Sequence, residues 1–343
     1  MAETLDRGGA AGCVGINAHL QSGRRVRVIL GTTSLLTAIM LDLRRRVLTA
    51  LALDRTPGFN YSGNFLGVRF PEISPARVRV EIDAGTHCED LHGHTDIGAI
   101  SLLADVAMGC VVRANLTPEQ RLATVSLNLQ FTGVSMRGAV FGHGEFQNFV
   151  AGVDSRQGLS RVSVYADGCQ AVFGSGAFMI MKAPPARSMY AIVSAVHAGA
   201  APLDEDQLEA HEAALLERAD RALHAAGGTR GFLRHFWGFL PWATAAGAHC
   251  RADNGPHLGN RVGHMQGGLQ IAMASITAAA ALPDEWAVSG ISAWFLSPGD
   301  GTHIDAEARL EHRGRNTAVV RTVLSSKGGR RVLEALTTHL RGG

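Results

Sequence analysis

The chain has 343 residues, more than one compact core ordinarily holds, so two domains are expected. Hydrophobic residues make up 46% and charged residues 18%, a globular balance, and the net charge of +2 gives no push toward nucleic acid or an anionic membrane. The five cysteines (Cys13, Cys88, Cys110, Cys169, Cys250) are odd in number, scattered and without a CxxC, which excludes a disulfide framework and fits a reducing, cytoplasmic setting.

Residues 1–23 are rich in Gly and Ala and have no periodicity. Arg24, Arg25 and Arg27 then precede an apolar run at 28–41. That run is too short to span a bilayer comfortably and has no small-residue cleavage site. Residues 1–39 are therefore read as a disordered or mis-started N-terminus. A first unit is placed at 40–186, a linker with a helix at 187–229, and a second unit at 230–343.

The first unit opens with a helical pattern at 41–53 and the segment GFNYSGNFLG at 58–67. HCEDLHGHTD follows at 87–96, then a long apolar helical run at 98–116. Period-2 alternation marks strands at 123–131, 139–150, 160–167 and 171–181, with a hairpin turn at Asp167–Gly168. The linker helix is expected at 208–227, with Asp204 and Gln207 as a capping box and Gly227–Gly228 as its stop. The second unit carries GFLRHFWG at 231–238 and an apolar helical run at 267–282. Its strands are expected at 287–296, 302–312, 317–326 and 331–341, with a KGG turn at 327–329.

The chain thus repeats one pattern. AGTHC at 84–88 recurs as AGAHC at 246–250, an offset of 162 from His87 to His249. Each half reads as strand, loop, one long helix, then four antiparallel strands. Both long helices are apolar nearly all round and must be enclosed. The expected fold class is α+β: two tandem units, each a central helix wrapped by a curved antiparallel sheet.

Asp105 stands out inside the first of these helices. Leu102, Leu103, Ala104, Val106, Ala107 and Met108 around it are all apolar. A carboxylate there is costly to bury unless it is partnered or used, and desolvation makes it a stronger base.

The loops before the helices resemble the signature of hotdog-fold acyl-CoA thioesterases of the phenylacetate-degradation (PaaI) type. That signature is N-x-x-G-x-x-H-G-G followed by an acid nine residues after the histidine. The resemblance covers roughly 45–343 as two hotdog units in tandem. The second loop keeps Asn260, Gly263, Gly267 and Gly268, has Gln266 in place of the histidine, and has Ser275 in place of the acid. The first loop has Asp90, Asp96 and Ile97 at the Asn, His and Gly positions, and keeps the acid as Asp105.

In dimers of this family the loop of one subunit faces the helix acid of the other. The resemblance therefore implies one working site, built from Asp105 with Asn260, Gln266 and Gly267, while the opposite site has lost its acid. The implied reaction is hydrolysis of an acyl-CoA thioester without a cofactor. Asp105 is the expected base or nucleophile, and Thr124 a hydroxyl beside it. Asn260 and Gln266 are expected to orient water or thioester. Gly267 and Gly268 would bring the carbonyl to the amides of a helix N-terminus.

Arg156 and Arg161, and Arg313 and Arg315 at the corresponding turn, are candidates for the phosphates of CoA. No metal is expected from HCEDLHGHTD, which lacks CxxC or HxxxH spacing. The expected association is an intramolecular pairing of the two halves, with further self-assembly left open. A non-catalytic acyl-CoA-binding or regulatory protein on the same scaffold is the alternative. An enoyl-CoA hydratase is disfavoured, because no G-D-x-N-P-x-H-like run occurs.

Overall fold

The computed structural model describes residues 14–19, 25–30, 32–56, 58–152, 155–183 and 200–342. Among the described residues, strands β1 (Val14–His19) and β2 (Arg25–Leu30) pair only with each other. Helix α1 (Thr32–Asp54) starts ahead of the expected boundary at 40. It buries Leu43, Val47, Ala50 and Leu51, the spacing of one helical face. Then come α2 (Tyr61–Phe65), β3 (Arg69–Ile73), β4 (Arg77–Ile82) and the long helix α3 (Ile97–Arg113). Four strands follow: β5 (Gln120–Phe131), β6 (Val140–Ala151), β7 (Arg156–Ala166) and β8 (Cys169–Lys182).

The second half repeats the order. It runs α4 (Ala210–Ala226), α5 (Phe232–Trp237), β9 (Trp242–Thr244), β10 (Gly247–Asp253) and the long helix α6 (Gly267–Ala279). Strands β11 (Trp286–Phe295), β12 (His303–Arg313), β13 (Thr317–Ser325) and β14 (Arg331–Arg341) complete it. Residues 184–199, most of the expected linker's first part, lie outside the described residues.

Twelve strands form one antiparallel sheet in the order β3-β4-β6-β7-β8-β5-β11-β14-β13-β12-β10-β9. The order is the same read outward in either direction from the β5–β11 pair, which joins Gln130 to Gly290 and Ser126 to Trp294. The architecture is α+β. Helices α3 and α6 pack on each other and on the sheet. Nearly every side chain of both is buried, as their all-round apolar sequence requires. One apolar cluster runs through both halves and includes Leu102 and Leu103 of α3 with Leu269 and Ala272 of α6. Among the described residues no helix is long and apolar enough to cross a membrane.

Two expectations are corrected. The first is the repeat register. The turn Thr86–Cys88 before α3 corresponds to the turn holding His257, because the bridges that close the two loops, Glu89 to Thr95 and Gly259 to Met265, are offset by 170. His257, not His249, is therefore the partner of His87. Each ring packs edge-on against a phenylalanine, His87 on Phe65 at 5.7 Å and His257 on Phe236 at 5.9 Å. Burial pushes each imidazole down to about 3, so both are neutral. His249 lies on β10, its ring 4.5 Å from that of Trp242. The five-letter likeness of AGTHC and AGAHC joins a turn to a strand.

The second correction is the cap of α4. Asp204 and Gln207 lie at a separate short turn. The capping box is Glu209 with Glu212, whose carboxylate accepts the Glu209 amide at 2.9 Å. Arg55 of the loop after α1 holds that carboxylate at 2.6 Å. The tertiary ion pair therefore selects the start of the helix. Gly227 closes α4 in the left-handed conformation, as expected.

Helix α3 lies so close to β6 that a Cβ on Gly144 would fall 2.1 Å from the Ala107 carbonyl oxygen. At Gly142, one repeat along the strand, the nearest atoms are at 3.6 Å. Gly144→Ala is expected to destabilise the protein by about 1–3 kcal/mol through overpacking. Gly142→Ala should be neutral or slightly stabilising. Urea denaturation midpoints of the two variants check the contrast.

Candidate active site

The site is built where the N-terminus of α6 meets the side of α3. Gln266 is the N-cap of α6, and its Oε1 accepts the Leu269 amide at 2.9 Å. This leaves the amide nitrogen of Gln266 pointing across the seam. Nε2 donates to Asp105 Oδ2 at 2.7 Å. The amide of Gly268 donates to the same oxygen at 3.0 Å. Thr124 Oγ1 donates to the other oxygen, Oδ1, at 3.3 Å. A bulge in β5 between Thr124 and Ser126 breaks the strand's alternation beside this hydroxyl.

Asp105 is 7% exposed. Burial raises its carboxyl to about 6, and the three donors hold it from rising further. The glycines have steric reasons. A Cβ on Gly267 would lie 2.9 Å from Asp105 Oδ2 and 3.2 Å from Thr124 Oγ1. A Cβ on Gly268 would lie 2.5 Å from the Ser101 carbonyl oxygen of α3. Only a bare backbone lets the start of α6 approach the acid.

A cavity of about 530 Å³ opens over this cluster. Asp105, Thr124, Asn260, Gln266 and Gly267 all line it. Gly268 contacts Asp105 from behind. Asn260 is held in its own loop: its Oδ1 accepts the amides of Val262 at 3.0 Å and His264 at 3.1 Å. Gln266 is thus placed to orient the acid, whereas the oxygen of Asn260 shapes the turn.

Arg156, Arg161, Arg313 and Arg315 do not line the cavity. Arg156 stacks over the Phe149 ring at 3.3 Å, Arg161 is exposed on β7, and Arg313 and Arg315 are exposed at the β12–β13 turn. Among the described residues, the arginines that do line it are Arg121 and Arg261. Arg121 stands three residues before Thr124 on the same strand, a proximity readable once Thr124 was singled out. Arg261 follows Asn260 directly. Gln270, one turn into α6, also lines the cavity, and no sequence signal marked it.

The opposite corner has the same backbone plan with different chemistry. Asp96 caps α3, accepting the Gly98 amide at 2.7 Å. Its other oxygen takes Arg234 Nε of α5 at 2.7 Å. A Cβ on Gly98 would lie 2.3 Å from the Trp237 ring. Ser275 stands at the position of the acid, buried, its hydroxyl without a partner among the described residues. Within HCEDLHGHTD, Asp90 Oδ1 accepts the amides of His92 at 2.8 Å and His94 at 3.0 Å. Among the described residues no group of three or more His, Cys, Asp or Glu side chains converges to hold a metal.

Residues 257–340 match a family model described as the acyl-CoA thioesterase N-terminal domain. No curated protein matches the chain. Among solved structures, a tesB protein of Mycobacterium avium subs paratuberculosis is 13% identical, with 80% of this chain and 96% of that one covered, at a TM-score of 0.47. A hot dog fold protein of unknown function from Alicyclobacillus acidocaldarius is 9% identical, covering 79% of this chain and 95% of that one, at 0.42. A Bacillus halodurans protein solved with CoA is 19% identical, covering 39% of this chain and 95% of that one, at 0.36.

Thr124 donates to the ionised form of Asp105, so its removal favours the protonated form. Thr124→Val is expected to move the Asp105 titration above about 6. A carboxyl carbon-13 NMR titration, with Asp105→Asn to identify the signal, reads the direction.

Proposed function

We propose that this protein is an acyl-CoA thioesterase of two tandem hotdog units, with PaaI-like loops before the central helices. Its one working site is shared between the halves. The observation that carries the reading is Asp105: a buried carboxylate from α3, raised to about 6 and held by Gln266 and Gly268 of α6. The outward-repeating strand order supports the tandem arrangement. The match of residues 257–340 supports the reaction class.

Thioester hydrolysis needs a base for water and stabilisation of the tetrahedral oxyanion. Oδ2 of Asp105 is occupied by two strong donors. Oδ1 has only the longer contact to Thr124, and it is the oxygen left to take a proton from water. A carboxyl near 6 is ionised at neutral pH and more basic than an exposed one. The Gly267 amide lies in the first turn of α6, where helical geometry supplies no intrahelical acceptor and the helix dipole favours negative charge. It is the proposed oxyanion donor. CoA leaves as a thiolate, which needs little acid assistance.

The opposite corner is proposed to be catalytically silent. Its helix carries Ser275 instead of an acid, and Asp96 is neutralised by Arg234. The test is thiol release from a panel of acyl-CoAs, short, long and aryl, by wild type and Asp105→Asn. The variant is expected to lose about 10²- to 10⁴-fold in kcat, the range for removing a general base. Equal release by both proteins would remove Asp105 from the mechanism. No release from any substrate would shift the reading to a non-catalytic acyl-CoA-binding protein.

A further inference from the structure

The cavity over Asp105 carries charges of both signs. Among the described residues, Asp105 is the one acid in its lining, and Arg121 and Arg261 are its two arginines. Helix α3 and strand β5 run antiparallel along its wall. Arg121 is three residues from Thr124, about 10 Å along the strand. Cys110 is five residues from Asp105 toward the same end, about 7–8 Å along the helix. Arg261, Asp105 and Arg113 all lie close enough to Cys110 to act on its thiol electrostatically. Arg121, by its place on the strand, stands toward the end of the cavity away from the acid. The wall between the two ends is apolar and includes Val106, Leu122, Phe178 and Met179.

Arg113 is held by carbonyls of its own corner, donating to Thr117 O at 3.0 Å and to Gln120 O. Arg121 is different. Its Nε is buried and has no hydrogen-bond partner among the described residues. A buried guanidinium nitrogen left in that state is costly, and an oxygen of a bound anion would relieve it. A planar guanidinium suits phosphate and carboxylate alike, through two parallel hydrogen bonds.

We propose that Arg121, with Arg261 in the same lining, is the anion anchor of this cavity. It binds a phosphate of CoA or a carboxylate at the far end of the acyl group, its backbone about 10 Å along the strand from Thr124. The assignment rests on the thioesterase reading and replaces the four arginines of the β6–β7 and β12–β13 regions. It makes Arg121 a residue of affinity and specificity rather than of chemistry.

The test uses the full-length protein and the variants Arg121→Gln and Arg121→Lys. Binding of CoA itself is measured by calorimetry. Turnover is measured on N-acetylcysteamine thioesters with and without a terminal carboxylate, which lack the phosphates. If the anion is a CoA phosphate, Arg121→Gln weakens CoA binding by about ten- to a hundredfold, and the KM for both small thioesters is unchanged. If it is an acyl carboxylate, CoA binding is unchanged and KM rises by the same factor only for the carboxylated thioester. In either case kcat is retained, and Arg121→Lys recovers part of the loss, which a collapse of folding would not allow. Unchanged CoA affinity together with unchanged KM on both thioesters would overturn the proposal. Failure of the thioesterase reading looks different: wild type would then cleave no thioester, whether or not it binds CoA.

Discussion

One buried carboxylate sets the demands that the rest of the site meets. Asp105 sits in a helix whose neighbours are apolar, and burial opposes its charge. The fold answers with three donors, two of them from the other half of the chain. Those two lie at the start of α6, where a helix offers amides without internal acceptors. Bringing that start against α3 requires Gly267 and Gly268, since a Cβ at either would collide with the acid or with the backbone of α3. The carboxyl remains raised to about 6. Its burial therefore favours the folded state when it is protonated and weighs against it as pH rises from the ordinary carboxylate value through about 6. A fold that keeps such a group at neutral pH carries a cost in stability at the candidate site.

The two corners of the molecule show how one backbone plan yields two outcomes. Gln266 and Asp96 both cap the helix that follows them. Gln266 is longer and neutral; it caps with its oxygen and still reaches the acid with its nitrogen. Asp96 has no donor to offer, and the other long helix carries Ser275 at the position of the acid. Its second oxygen is taken by Arg234, and Trp237 fills the space against Gly98. The corner whose helix carries Ser275 in place of the acid holds a packed ion pair between α3 and α5.

Much of this was legible from residues. The apolar run around Asp105 marked an acid out of place, and the Gly-Gly pair marked a close approach. The pairing of Asp105 with Gln266 was an implication of the resemblance, and in the structure Gln266 Nε2 donates to Asp105 Oδ2. The strands and long helices followed from periodicity to within a few residues. What failed was local likeness without geometry. AGTHC and AGAHC share letters but occupy a turn and a strand. Asp204 and Gln207 have capping spacing, yet Arg55 fixes Glu212 and moves the cap to Glu209. Arginines for phosphate were expected at turns that lie outside the cavity lining, whereas Arg121 and Arg261 line it through strand and loop placement that only the folded chain defines. The role of Asn260 in its own turn depended on backbone amides that no pattern of side chains reveals.

A side chain of one half, Gln266, holds the acid of the other through a hydrogen bond that favours its charged form. The most direct measurement is the pH dependence of kcat/KM for wild type and Gln266→Leu. Asp105 must be ionised to accept a proton, so wild-type activity should rise with pH through an ionisation near 6. Removing the Gln266 donor should move that ionisation upward, because the charged form loses a hydrogen bond. A profile whose ionisation stays in place in the variant, or a wild type with no ionisation in this range, would contradict a composite site.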